Sequence, residues 1–202
     1  MSCDISNGRV ISCKDATGGI KAMFVHNFGF GTPEVATPIV QFPGFAETAN
    51  VISALGVAST GIYEVYRFEL RREMAMLDVQ IQTNPENGTT FFEQVFTVNF
   101  NKLNQVDADK MRVLAYGRPQ IILQDNMDNL IVIGGNNGCD VTAGSITTGQ
   151  MFGDKNGSTI TFTGKEQIAY YTMTPPTAGS EDETNYPFYQ FGGASPTITV
   201  TA

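Results

Sequence analysis

TTFFEQVFTVNFNK, from Thr89 to Lys102, places Phe92, Phe96, Val98 and Phe100 on one side of an extended chain. Glu93, Thr97, Asn99 and Asn101 fall on the other. Apolar residues at even spacing opposite polar ones are the signature of a strand that buries one face. The chain beyond it, through Ile133, extends the pattern. From Asp107, the residues Met111 and Leu114 stand three apart, acids come first, Lys110 and Arg112 follow, and Gly117 and Pro119 end the run. This predicts a helix over 107–116, about three turns at most. Gln120–Gln124 and Leu130–Ile133 then read as two strands joined by the polar turn Asp125-Asn126-Met127-Asp128-Asn129.

The same alternation recurs on both sides. Gly19–Asn27 is a strand whose apolar residues Ile20, Met23 and Val25 do not alternate strictly, as expected if both faces are partly buried. Ile62–Leu70 and Met76–Thr83 are further strands, and Asn87-Gly88 makes the tight turn into Thr89. Gly138–Thr147 and Ser158–Thr163 follow, separated by Gly149–Gly157, with Asn156-Gly157 marking the turn entry. With 14 Phe, 7 Tyr, 21 Gly and no Trp in 202 residues, the expected class is mostly β. The specific expectation is a sandwich or barrel flanked by one short helix.

Three segments lack this rhythm. An amino-terminal arm (1–18) is polar and Gly-punctuated. Pro33, Pro38 and Pro43 break a long loop (31–60) inside the domain 19–169. The carboxy-terminal arm (170–202) carries Pro175-Pro176 and Glu181-Asp182-Glu183, then Tyr186, Phe188, Tyr189 and Phe191, and closes on strand-like Thr197–Thr201. Such segments bury too little of themselves to fold alone. Ile39, Phe42, Phe45, Val51, Ile52, Tyr186, Phe188 and Phe191 are therefore expected to be covered by neighbouring subunits. Deleting 179–202 is accordingly expected to leave the monomer's melting nearly unchanged.

Composition narrows the functional classes. A net charge of −8 lacks the clustered cations needed to hold nucleic acid through its phosphates. Charged residues make up only 16%, as when other copies cover much of a surface. Met1–Gly19 has no apolar signal core, and no run reaches the 18 apolar residues of a membrane span, so synthesis in a cytoplasm is expected. Cys3, Cys13 and Cys139 are odd in number and lack a Cys-x-x-Cys pair, which predicts reduced, metal-free thiols.

No constellation for catalysis, cofactor or metal appears. His26 lies among apolar strand residues with no nucleophile motif nearby, which favours a structural role. With the three cysteines it matches no usual zinc spacing. Asp125–Asn129 lacks the glycine and the closing glutamate of a calcium loop. Gly153–Ser158 is followed by a strand, not the helix of a phosphate loop. Asn87-Gly88-Thr89 and Asn156-Gly157-Ser158 are formal glycosylation acceptors that read better as turns. Arg67, Arg71 and Arg72 read as a solvated strand edge, or secondarily as a salt-bridging subunit surface.

The runs NGTTFFEQV (87–95), LAYGRP (114–119) and GDKNGSTITFTGKE (153–166) resemble structural proteins of tailed bacteriophages, most closely the tail tube (major tail) protein family. The likeness spans mainly residues 89–167, with Ser2-Cys3-Asp4-Ile5 added. It implies a β-sandwich or barrel with one helix, and copies forming hexameric rings. Those rings would stack into a virion tail tube that meets other tail proteins and passes DNA without reading its sequence. Loop 31–60 and the tail from Tyr170 depart from the compact members of that family. A connector-ring or head-decoration protein is the neighbouring alternative. A soluble ligand-binding sandwich is disfavoured by the absence of Trp, and an enzyme by the absence of an acid, base or nucleophile set.

Overall fold

A computed structural model of the chain describes residues 17–27, 51–52, 62–71, 73–173, 187–188 and 197–201. In chain order the strands are β1 (Ile20–Asn27), β2 (Val51–Ile52), β3 (Ile62–Glu69), β4 (Ala75–Asn84) and β5 (Thr89–Asn101). A single helix among the described residues, α1 (Gln105–Tyr116), is followed by β6 (Pro119–Asp125), β7 (Leu130–Ile133), β8 (Cys139–Thr147), β9 (Gly157–Glu166), β10 (Tyr171–Met173) and β11 (Thr197–Thr201). They form a seven-stranded sheet, β11-β3-β1-β6-β7-β10-β2, and a four-stranded sheet, β4-β5-β9-β8. The fold is mostly β with one short helix.

The alternation in β5 explains how the sheets meet. Phe96 and Val98 point inward with Ile160 and Phe162 of β9 and join Met23, Val25, Ile121, Leu123 and Ile133 of the larger sheet in one cluster. The Phe96 and Phe162 rings stack with centroids 6.2 Å apart. Of the two shapes expected, this is the sandwich: inner faces of two sheets sharing one core. The larger sheet is buried on its other face too, where Ala22, Phe24, Val65, Ile122, Leu130, Val132, Tyr171 and Met173 form a second cluster. That is why β1 does not alternate and why Pro119–Gln124 of β6 is buried without interruption. The two glutamines in that run are buried with partners: Gln120 Nε2 donates to Gly135 O at 2.6 Å and Gln124 Nε2 to Asp128 Oδ1 at 2.9 Å.

Three expectations need correction. The helix begins at Gln105, two residues before the acidic run, with Ala108 N bonded to Asn104 O at 3.0 Å. Met111 and Leu114 pack on the inter-sheet core as their spacing predicts. Gly157 is the first residue of β9, and the turn lies before it. A Cβ there would stand 2.0 Å from Phe100 O, so this glycine serves the close approach of β5 and β9.

The domain boundary at 169 is the third correction. Tyr171–Met173 is β10, hydrogen-bonded between β7 and β2, and Thr197–Thr201 pairs in parallel with β3. Phe188, expected to need a neighbouring subunit, is fully buried in its own chain and sits edge-on to Phe24 with centroids 5.0 Å apart. Physically, the two-sided larger sheet has apolar area on its outer face that must be covered, and the carboxy-terminal residues cover part of it. Of the arm 1–18 only Thr17 and Gly18, and of the loop 31–60 only β2, are among the described residues; the calls on Phe42, Phe45, Tyr186 and Phe191 lie outside them.

Candidate assembly surface

The residues that chemistry would single out are taken up by structure. His26 is buried on β1, and burial lowers its pKa to about 4, so the imidazole is neutral at physiological pH. Cys139, the described cysteine, is buried and its thiol is pushed up to about 12, first by burial and then by the Glu166 and Asp140 charges. Burial holds both in their neutral forms. No group of three or more His, Cys, Asp or Glu suited to a metal occurs among the described residues. Asp125 spends its carboxylate on its own turn: Oδ1 accepts from Met127 N and Asn129 N, both at 2.8 Å, and Oδ2 from Asn129 Nδ2 at 2.8 Å. Asp128 next to it pairs with Lys21. Arg67 pairs with Glu69 at 3.0 Å, Arg71 is exposed, and Arg72 lies outside the described residues.

Sequence reasoning missed a buried polar junction where the chain crosses between sheets. The 134–138 turn joins β7 to β8, and Gly134 and Gly138 there have positive φ. Gln94, on the apolar face of β5, accepts from Gly134 N at 2.9 Å and donates to Ala169 O at 2.8 Å. Glu166 Oε1 accepts from Asn136 N at 2.9 Å and Asn137 N at 2.8 Å. Asn136 Nδ2 donates to the Tyr171 hydroxyl at 2.7 Å. Burial raises the Tyr171 pKa, so that hydroxyl keeps its proton. Every group here answers a turn, a strand end or the other sheet, so the junction is a structural lock.

The four-stranded sheet presents two outer strands. Successive pairs β4–β5, β5–β9 and β9–β8 are all antiparallel, so the outer strands β4 and β8 run in opposite directions. Each has one edge unpaired among the described residues. Neither Ala75–Asn84 nor Cys139–Thr147 contains Pro, Lys or Arg, the residues that usually blunt an edge. β8 carries a bulge between Val141 and Ala143. Ile81 on β4 and Ile146 on β8 are well exposed.

The sheet's outward face is polar. Thr97 and Thr161 hydroxyls meet at 3.2 Å and Thr142 and Thr163 at 2.8 Å. Lys165 stands 3.6 Å from Glu93, and Lys155 donates to Asn99 Oδ1 at 2.6 Å. Its cations are thus held by neighbours on the same face. At the end of the β8–β9 hairpin, Met151 and Phe152 stand out into solvent. A groove of about 480 Å³ opens between α1 and β3. Family models, curated proteins and solved structures yield no match to the chain.

Proposed function

We propose that this chain is a virion structural protein that closes into rings, and that the rings stack into a tail tube conducting DNA. The observation that carries the reading is the pair of oppositely directed edges on the four-stranded sheet, both without Pro, Lys or Arg. An even number of alternating strands lets β8 of one copy lie antiparallel to β4 of the next under a simple rotation. Such a head-to-tail contact closes into a ring when the rotation divides a full turn, and it leaves neither edge of the four-stranded sheet free. The sixfold closure implied by the resemblance is one such rotation.

The polar face suits a lumen. DNA adheres where free Lys and Arg neutralise its phosphates and release counterions. Here Lys165 lies beside Glu93 and Lys155 donates to Asn99, while threonine hydroxyls and the Asp78 and Asp140 carboxylates share the face with Met76, Phe91 and Val95. Like charge keeps the polymer moving. Sedimentation velocity tests the edge contact. The parent should form large species, and Met76→Lys with Gln80→Lys on β4 should return it to monomer. A parent that stays monomeric at all concentrations overturns the reading.

A further inference from the structure

We propose that Met151 and Phe152 at the β8–β9 tip of one copy insert into the groove between α1 and β3 of another copy. This rests on the assembly reading above and adds a second contact to it.

The tip is built, and built to display an aromatic ring. Asp154 Oδ2 accepts from Gln150 N at 2.9 Å and Met151 N at 2.8 Å, and Asp154 N donates back to Met151 O at 3.1 Å. Gly149 has φ +71, and a Cβ on it would come within 2.6 Å of Asp154 Cβ. Lys155 is tied to Asn99 and Thr159. Lys102 N donates to Asn156 O at 2.7 Å, so the turn's far end is fixed to the end of β5. On this scaffold Phe152 is 113% exposed and Met151 76%, values at which neither side chain gains from its own chain. A held loop that spends its hydrogen bonds on keeping an apolar pair in water has the form of a knob.

The groove has the form of its socket. Val25, Tyr66, Phe68, Val113 and Leu114 give it apolar walls. Its volume of about 480 Å³ lies within the roughly 300–1,000 Å³ of small-ligand pockets, room for a Phe with a Met beside it. Asp109 and Lys110 add a polar rim to the groove. An aromatic side chain buries about 150–250 Å². One knob and socket thus fall short of the roughly 1,000 Å² that a freestanding interface needs. The contact therefore fits a copy already held by edge pairing. Knob and socket occur once each per chain among the described residues, and a head-to-tail contact of that kind propagates through a polymer.

The test replaces Phe152 with photoreactive benzoyl-phenylalanine, mixes isotopically light and heavy protein under assembling conditions, irradiates, and maps the linked peptides by mass spectrometry. Mixed light-heavy links from residue 152 into 105–116 or 62–69 are expected. Links elsewhere, or links only within one chain, overturn the inference while the parent's polymers, seen by sedimentation, leave the ring reading standing. A parent that neither sediments as polymer nor crosslinks between copies overturns both. As a second arm, Phe152→Ser should lower the polymer fraction at least tenfold with melting unchanged; an unchanged polymer fraction would count against the knob.

Discussion

Glu166 and His26 show what single residues contribute. Glu166 holds two backbone N–H groups of the inter-sheet turn, and Glu166→Leu would remove the acceptor of both. Each lost hydrogen bond costs about 0.5–1.5 kcal/mol, so the variant should unfold at lower denaturant with an unchanged slope. His26 predicts a pH effect whose sign follows from its burial. Its pKa is lowered from 6.5 to about 4 in the folded chain, so between those values the unfolded chain binds a proton that the folded one does not. Stability is full above pH 6.5 and falls as pH drops toward 4, by roughly 3 kcal/mol at most. Denaturant melts from pH 7 to 4 on the parent and on His26→Gln should show this slope only in the parent. Cys139 gives a third check: with Cys3 and Cys13 changed to Ser, the remaining thiol should ignore a thiol reagent at pH 8 until denaturant is added, because burial holds it protonated.

At the scale of elements, β5 organises the sandwich because half of its residues face the other sheet. Phe96→Ala removes a ring from the inter-sheet core and should cost about 3–5 kcal/mol in chemical denaturation. Met76→Lys and Gln80→Lys lie on the exposed side of β4 and should change stability by about 0.5 kcal/mol or less while affecting assembly. The alternation in β5, the irregular apolar run of β1 and the Met111–Leu114 spacing were legible because each is a local pattern that burial imposes on neighbouring residues. Gln94 was not. It interrupts the apolar row between Phe92 and Phe96, and its partner Gly134 lies 40 residues away. Phe188 and the last strand were misjudged for the same reason: their segment is Pro- and Gly-rich, and their partners Phe24 and β3 belong to the other end of the chain. The proposed edge and knob contacts would rest on exposed residues, which carry no burial period to read.

Taken whole, the molecule divides its work between two sheets. The larger is buried on both faces and has β11 and β2 as its outer strands, so deleting 197–202 should lower the melting temperature by stripping β11 from β3, in contrast to what composition alone suggests. The smaller keeps one polar face and two unpaired edges, and these are what the proposed ring uses. Electron microscopy of the purified chain in negative stain tests that claim most directly. Annular particles and hollow tubes of constant width are the predicted result, and a uniform field of separate monomers at concentrations where the protein is folded would contradict it.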